Sequence, residues 1–503
     1  MAQQQQNITI AAPGFGGVNT EVSPTQQGEA FAAIADNCVI DKYGRIGSRK
    51  GFTATTTDGS AFGGDHLIEQ VYEHLAEDGV LTAFSCANNK IWKGELIPAD
   101  VTPATTVTAN HWSITTFNDD AYFVQKGHAG LQYDYSTNTL AVVAAIPQGD
   151  CVVGAYGRLW VSGVVGLESI VYWSNLLVGT DFSTGTSGSI DVAEYWPRGH
   201  DSVTAIAFHN NFLIVFGKHS ILVYSGANGD PGANLTLVDS VNGVGCVARD
   251  SVAYLGADIF FLDESGVRSF ARTVQEKSMP IGEVSKNVRT DILSYIAAED
   301  DASLINCVFS PEESFYLVQF RTSAVTACFS TKLLGQDGEA RATFWTGQTS
   351  VTATYTPEGR LLLGGTSQLG TYSGYSDDGV SYRMRYYSNP FSFGDSSILK
   401  FPKQVDFTII SGSGGTITIY WAFNYATTYR SKTLTLNAIG APSEFNVAEY
   451  NVGTYTGGTT LDRIKANVGG SGVVVTIGIE TDIAGEVVSI QEMNIQALLG
   501  RIL

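Results

Sequence analysis

Charge is scarce in this 503-residue sequence. Asp, Glu, Lys and Arg together make up 16% of it, against a typical ~25%, which excludes a disordered acidic tail. Cations are scarcer still: 29 Lys and Arg stand against 49 Asp and Glu, a net charge of −20. Phosphate binding needs clustered Lys and Arg, so the balance speaks against general affinity for nucleic acid. Long apolar runs are missing too. The longest, such as Phe212–Phe216 and Val473–Ile477, are strand-length and fall far short of the ~18 to 20 residues of a membrane helix. The start, Met1-Ala2 followed by Gln3–Gln6, lacks the basic and apolar regions of a secretory signal, and export is not expected. The six cysteines (Cys38, Cys86, Cys151, Cys246, Cys307, Cys328) contain no CxxC pair. That argues against a zinc ribbon and a disulfide framework, and for reduced, buried thiols in a chain made in a cytoplasm.

What is present points to strands and turns. Glycine numbers 55 against 13 Pro and 4 Met, with many Thr, Ser, Val and Tyr, so the chain is expected to be all-β. A weak repeat carries the architecture. A polar turn runs into an aromatic or β-branched strand at Asn118–Val124, Gly157–Val161, Asn210–Phe216, Gly256–Leu262, Glu313–Val318 and Gly359–Leu363, with a fainter copy at Asn88–Trp92. About 13 to 14 residues after four of these turns a second strand ends in an aromatic: Tyr133, Tyr172, Tyr224 and Tyr372. Turn, buried strand, turn, second strand is the unit of a four-stranded propeller blade, whose period is ~40 to 50 residues. The expectation is a β-propeller over residues 66–380 with about seven blades, six or eight being the nearest alternatives; a string of hairpins in β-sandwiches is the plainer one.

The flanks differ from this middle part. Residues 1–379 hold 20 Lys and Arg and 40 Asp and Glu, whereas residues 380–503 hold nine of each, which places a boundary near residue 380. Val405–Ile410, Thr416–Phe423 and Lys432–Leu436 alternate in polarity, with a turn at Gly412–Gly415, and Val473–Ile479 and Val487–Leu498 read as closing strands. Residues 381–503 are therefore expected to form a β-sandwich-like domain. Residues 1–65 read as an extended N-terminal arm, with one or two helical turns in Gly28–Ala35, leading into a hairpin at Asn37–Arg45.

The search for chemistry is mostly negative. Gly217-Lys218-His219-Ser220 has the ending of a phosphate loop, but Phe212 stands where its first glycine belongs. Gly14-Phe15-Gly16-Gly17 lacks the strand and the third glycine of a dinucleotide loop. The seven histidines, His111 among them, show no metal-ligand spacing. The acid pairs Asp119/Asp120, Asp300/Asp301, Glu312/Glu313 and Asp377/Asp378 could serve a glycosidase, but adjacent strand or turn residues point apart and several of the pairs sit in turns of the repeat, where solvated acids are ordinary. No catalytic residue, cofactor or metal is expected, and no small-molecule substrate. One cationic feature stands out in the acidic part: Lys42, Arg45, Arg49 and Lys50 in the Asp41–Phe52 hairpin. They are either an interaction site for an acidic neighbour or DNA phosphate, or four solvated charges.

Segment Asn37–Phe52 (NCVIDKYGRIGSRKGF) resembles the opening hairpin of tail nozzle proteins of short-tailed bacteriophages, also called packaged-DNA stabilisation proteins. Tyr172–Asn175 with Asp181–Ser183, and Gly199–Val203 through Tyr224–Gly226, are similar to the same family, as are Phe391–Gly394 and Lys400–Lys403 near the end. The resemblance implies a structural virion protein made in the host bacterial cytoplasm, six copies of which form a homo-hexameric ring at the distal end of the DNA channel. It further implies an adaptor ring above, tail needle, fibre or spike proteins as partners, and double-stranded DNA passing through without sequence-specific binding. The family has no catalytic residues to carry over. Two other classes are compatible with a propeller: a receptor- or glycan-binding virion protein, and a propeller glycosidase.

Overall fold

The computed structural model describes residues 5–502 except 58–60, 104–106, 277–282, 336, 349, 412–414 and 437–460. Seven antiparallel strand sets follow one another along the chain, the sixth being the start of a larger sheet, and the strands of each that lie between residues 70 and 373 are in chain order. The first strands of the seven are Gln70–Leu75, Ser113–Phe117, Cys151–Ala155, Val203–His209, Ala253–Tyr254, Asn306–Ser310 and Thr352–Tyr355. These first strands follow one another in a closed cycle: blade 4 meets blade 5 through Arg249–Ser251, just before Ala253–Tyr254, and Thr352–Tyr355 comes back beside Gln70–Leu75. The protein is thus a seven-bladed β-propeller, its blades numbered here in that order.

The repeat read from the sequence marks the blades. In blades 2 to 7 the polar turn joins the innermost strand to the second, and the apolar strand after it (Asp120–Val124, Arg158–Val164, Phe212–Gly217, Ile259–Asp263, Phe315–Phe320, Leu361–Gly364) is buried between neighbouring blades. Asn118 and Asp119, and Asn210 and Asn211, take positive φ at both central turn positions, the geometry that matches strand twist and that Asn and Asp tolerate best. The faint copy at Asn88–Asn89 is displaced by one turn, joining the second and third strands of blade 1. Tyr133, Tyr224 and Tyr372 of the third strands are buried. In the interface of blades 6 and 7, Trp345 stacks on Tyr372 at 5.3 Å while Phe315 meets both rings edge-on. Each large apolar side chain buried in this way contributes about 1.5–3 kcal/mol.

Blade 7 takes its fourth strand from the other end of the chain. Gly51–Ala54 pairs antiparallel with Leu369–Ser373, Phe52 opposite Tyr372, so the propeller is latched by the N-terminal segment. Glycine is required at position 51, because a Cβ there would lie 1.8 Å from the carbonyl oxygen of Ser376. Blade 5 has three strands among the described residues; Val284 donates its N–H to Val267 beside the third of them and ties it to Ala340 of blade 6.

The C-terminal strands form two facing sheets. One continues the outer edge of blade 6: from Arg341–Thr346 it passes through Ala32–Asp36, Tyr382–Ser388, Val475–Ile483 and Thr416–Phe423 to Arg430–Thr435. The other runs Cys38–Ile40, Ile46–Ser48, Val488–Ile502, Ile398–Ser411, Leu461–Asn467, with Gln5–Ala11 also paired on Val488–Ile502. Phe407, Ile409, Ile419, Ile477 and Met493 fill the space between them in one apolar cluster that reaches blade 6 through Phe329 and Phe344. The first 54 residues therefore supply five strands to the sandwich and the propeller and are not a free arm. The small-residue segment expected to be helical holds the strand Ala32–Asp36 instead. Ala32 and Ala35 are fully buried there, and pairing with Tyr382–Ser388 outweighs the weak helical preference of alanine. The turn expected at Gly412–Gly415 falls largely outside the described residues. No helix among the described residues is long and apolar enough to cross a membrane.

Candidate functional site

The four hairpin cations do not form one patch. Arg49 is fully buried; it donates to both carboxylate oxygens of Asp377 (2.8 and 2.6 Å) and to Asn37 (2.9 Å), and lies 4.0 Å over the Tyr382 ring. Lys50 is half-buried, paired with Glu313 of blade 6 and facing the Tyr372 ring. These two join the latch to blades 6 and 7. Lys42 and Arg45 stay near the surface, both over the ring of Tyr43, with Arg45 also paired to Asp41 at 2.6 Å.

A second cluster lies where the innermost strands of three blades begin. His111 precedes the first strand of blade 2, Asp150 that of blade 3, and Arg249-Asp250 that of blade 5. Arg249 spans them: it donates to Asp250 (2.8 and 2.9 Å) and to Asp150 (3.0 Å), while His111 Nε2 sits 2.7 Å from Asp250. Burial raises the Asp250 carboxyl, but the charge of Arg249 and then His111 outweigh it and hold the group well below the usual carboxylate range. Histidine and carboxylates from separate blades thus do converge near the axis. The guanidinium occupies the centre that a metal cation would need, and among the described residues no group of His, Cys, Asp or Glu could hold a metal. The sequence offered only one hint of this cluster, an Arg-Asp pair just before a strand.

The remaining sequence candidates are bound up in turns and junctions. Asp201 accepts from the N–H groups of Lys218 (3.0 Å) and His219 (2.8 Å), so a carboxylate fills the place where a phosphate would sit. Asp119 and Asp120 accept from the N–H of Glu77 (2.6 Å) and Tyr135 (3.1 Å), and Asp301 caps the short turn after it. A cavity of about 570 Å³ between propeller and sandwich is lined by Asn37, Asp377, Tyr382, Arg383, Arg385 and Glu480 among others. Its charges pair with each other or with close neighbours: Arg383 with Asp482 (3.0 Å) and Glu480 (3.5 Å), Arg385 with Asp36, Arg49 with Asp377. All six cysteines are buried; burial pushes the Cys151 and Cys246 thiols up to about 12.

No family model matches the sequence, and no curated protein matches it. Among solved structures, the chain is similar to the extracellular domain of a one-component system protein from B. thetaiotaomicron, with a TM-score of 0.39 and 11% identity over 66% of this chain and 40% of that one. It thus spans two fifths of that protein's length. BamB from Moraxella catarrhalis gives a TM-score of 0.38 at 10% identity (59% of this chain, 82% of that one), and YCF48 bound to D1 peptide gives 0.34 at 9% (65% and 94%). At such scores the fold rests on the strand topology itself: a β-propeller carrying a β-sandwich.

Proposed function

We propose that this chain is a tail nozzle protein of a short-tailed bacteriophage: a structural virion component at the distal end of the DNA channel that retains packaged DNA, guides its ejection and anchors other tail parts. The observation that carries the reading is the place of the resembling segment. Asn37–Phe52 is the strap that joins propeller and sandwich, with Arg49 buried on Asp377 and the following residues latching blade 7. The hairpin that resembles the family is therefore part of what joins propeller and sandwich into one building block, as a ring subunit needs.

The electrostatics agree with a conduit. Six copies at −20 each carry a formal charge of about −120, and acidic walls repel DNA phosphate, so that DNA slides past without sticking. A closed ring of identical subunits uses two different complementary faces on each. The test is negative-stain imaging with light scattering on the purified protein, alone and mixed with tail complexes that lack it. Six-fold rings, alone or on docking, support the nozzle; a persistent monomer that never joins a tail sinks it.

A further inference from the structure

One surface departs from the acidity of the rest. The turn Asp41–Arg45 meets the loop that follows Val325–Ser330 of blade 6 across a cleft of about 250 Å³. Tyr43 is 59% exposed there, Leu333 46% and Leu334 43%. Lys42, Lys332 and Arg341 surround this apolar centre, and their partners are neutral: Lys332 donates to the carbonyl of Lys42, Arg341 to that of Pro13 (2.9 Å), and Lys42 lies over the Tyr43 ring. The turn is locked. Asp41 accepts from the N–H groups of Tyr43 (2.8 Å) and Arg45 (3.0 Å), and Gly44, at φ +75°, leaves no room for a Cβ beside Pro13. Tyr43 is thus a pre-positioned aromatic flanked by cations, the composition of an interface anchor.

The opposite composition occurs on blades 1 and 2. Leu75 and Val80, 42% and 46% exposed, flank the turn that carries exposed Glu77 and Asp78, beside half-buried Asp119, Asp120 and Asp134. The donors these acids hold are neutral: Tyr135 Oη to Asp78 (2.8 Å), the Glu77 N–H to Asp119 (2.6 Å), Gln132 to Asp120 (2.7 Å). In an antiparallel blade the first-to-second and third-to-fourth turns emerge at the same end. The loop after Val325–Ser330 joins the third strand of blade 6 to the fourth, and Ala76–Val80 joins the first strand of blade 1 to the second, so these two turns lie on one end of the propeller, with the sandwich hairpin turn Asp41–Arg45 set against the former.

We propose that these two faces meet between copies of this chain, Tyr43 and Leu333 of one subunit seating against Leu75 and Val80 of the next, with Lys42 and Lys332 opposite Glu77 and Asp78. The proposal rests on the ring reading and names the faces that close it. The faces are different, so the contact is head-to-tail and propagates. They stand on blade 6 and blade 1, two blades apart in a seven-bladed wheel and about 100° around its axis, on two different sides of the subunit as a head-to-tail contact needs.

The test compares the wild type with Lys42→Glu plus Lys332→Glu, with Glu77→Lys plus Asp78→Lys, and with all four reversals in one chain. All four positions are exposed, and an unchanged circular dichroism spectrum and melting curve verify folding. Ring formation is read by light scattering and imaging, alone and on tails. Each pair of reversals is expected to weaken assembly about tenfold or more, and the fourfold chain to recover it, because the charges are exchanged and not lost. Wild-type rings that persist with either pair reversed overturn the faces and leave the nozzle reading standing. Loss without recovery in the fourfold chain overturns the pairing. A wild type that stays monomeric and never joins a tail ends both readings. Reversals at Lys42 and Lys332 that abolish binding of a short DNA duplex at physiological salt, with assembly intact, assign the face to DNA instead.

Discussion

Arg49 is a cation in a hairpin of cations, yet its surroundings make it a core residue. Its guanidinium is out of water, forked onto Asp377 and packed on Tyr382. Removing one partner of such a pair leaves an uncompensated charge, so Arg49→Met is expected to cost about 3 kcal/mol in denaturant unfolding, and Arg49→Met with Asp377→Asn less than the sum of the two single changes. Spacing could not separate Arg49 from Lys42, because burial here is set by Asp377 and Tyr382, more than 300 residues away. Asp250 offers a second residue-scale test. Its pKa is depressed in the folded protein, so its contribution is present above the ordinary carboxylate range and is lost as pH falls below about 4, where the unfolded chain takes up the proton first. The stability difference between wild type and Asp250→Asn is therefore expected to be largest near neutral pH and to shrink in acid, as measured by denaturant titrations at several pH values.

Among the elements, the second strand of each blade was the most legible, because burial on both faces demands a continuous apolar run and the turn before it demands Asn, Asp or Gly. Blade 1 was shifted by one turn because the strand after its first turn, Leu81–Ala87 (LTAFSCA), is mostly small residues with one aromatic, so the run Ile91-Trp92 after Asn88-Asn89 gave the stronger signal. Outer strands such as Ala99–Asp100 and Gly188–Asp191 carry little apolar signal, being edges half in solvent, and left no mark on the sequence reading. Gly51–Ala54 was invisible as a blade strand for another reason: its partner lies at the far end of the propeller. Gly51→Ala drives a methyl group into the Ser376 carbonyl and is expected to destabilise the latch by about 1–3 kcal/mol. Thr53→Ala on the same strand, whose side chain is exposed, is the control, and the melting midpoints of the two decide it.

At the scale of the whole molecule, the change in charge balance near residue 380 does coincide with the start of sandwich strands, but the two parts share one apolar cluster and one nine-stranded sheet. Sequence order hid this, since the strands that cross between the parts come from residues 5–54. A chain beginning at residue 55 would leave blade 7 with a bare edge and the sandwich without Gln5–Ala11, Ala32–Asp36 and the hairpin. It is expected to aggregate on expression or to melt well below the full-length protein. Centrifugation of lysates and thermal scans distinguish the two.

The latch also has a consequence in time. Strands near the front of the chain have partners made much later: Gln5–Ala11 waits for Glu492–Leu498, and Gly51–Ala54 for Gly370–Ser373. Neither can be satisfied until its partner has been made, so blade 7 is closed only after residue 373 and the Gln5–Ala11 strand is paired only after residue 498, by contacts of very large sequence separation that form slowly. A product cut short before residue 370 carries an unmatched strand at Gly51–Ala54 and lacks the contact that completes blade 7, so closure of the ring of blades depends on residues on both sides of it in the chain.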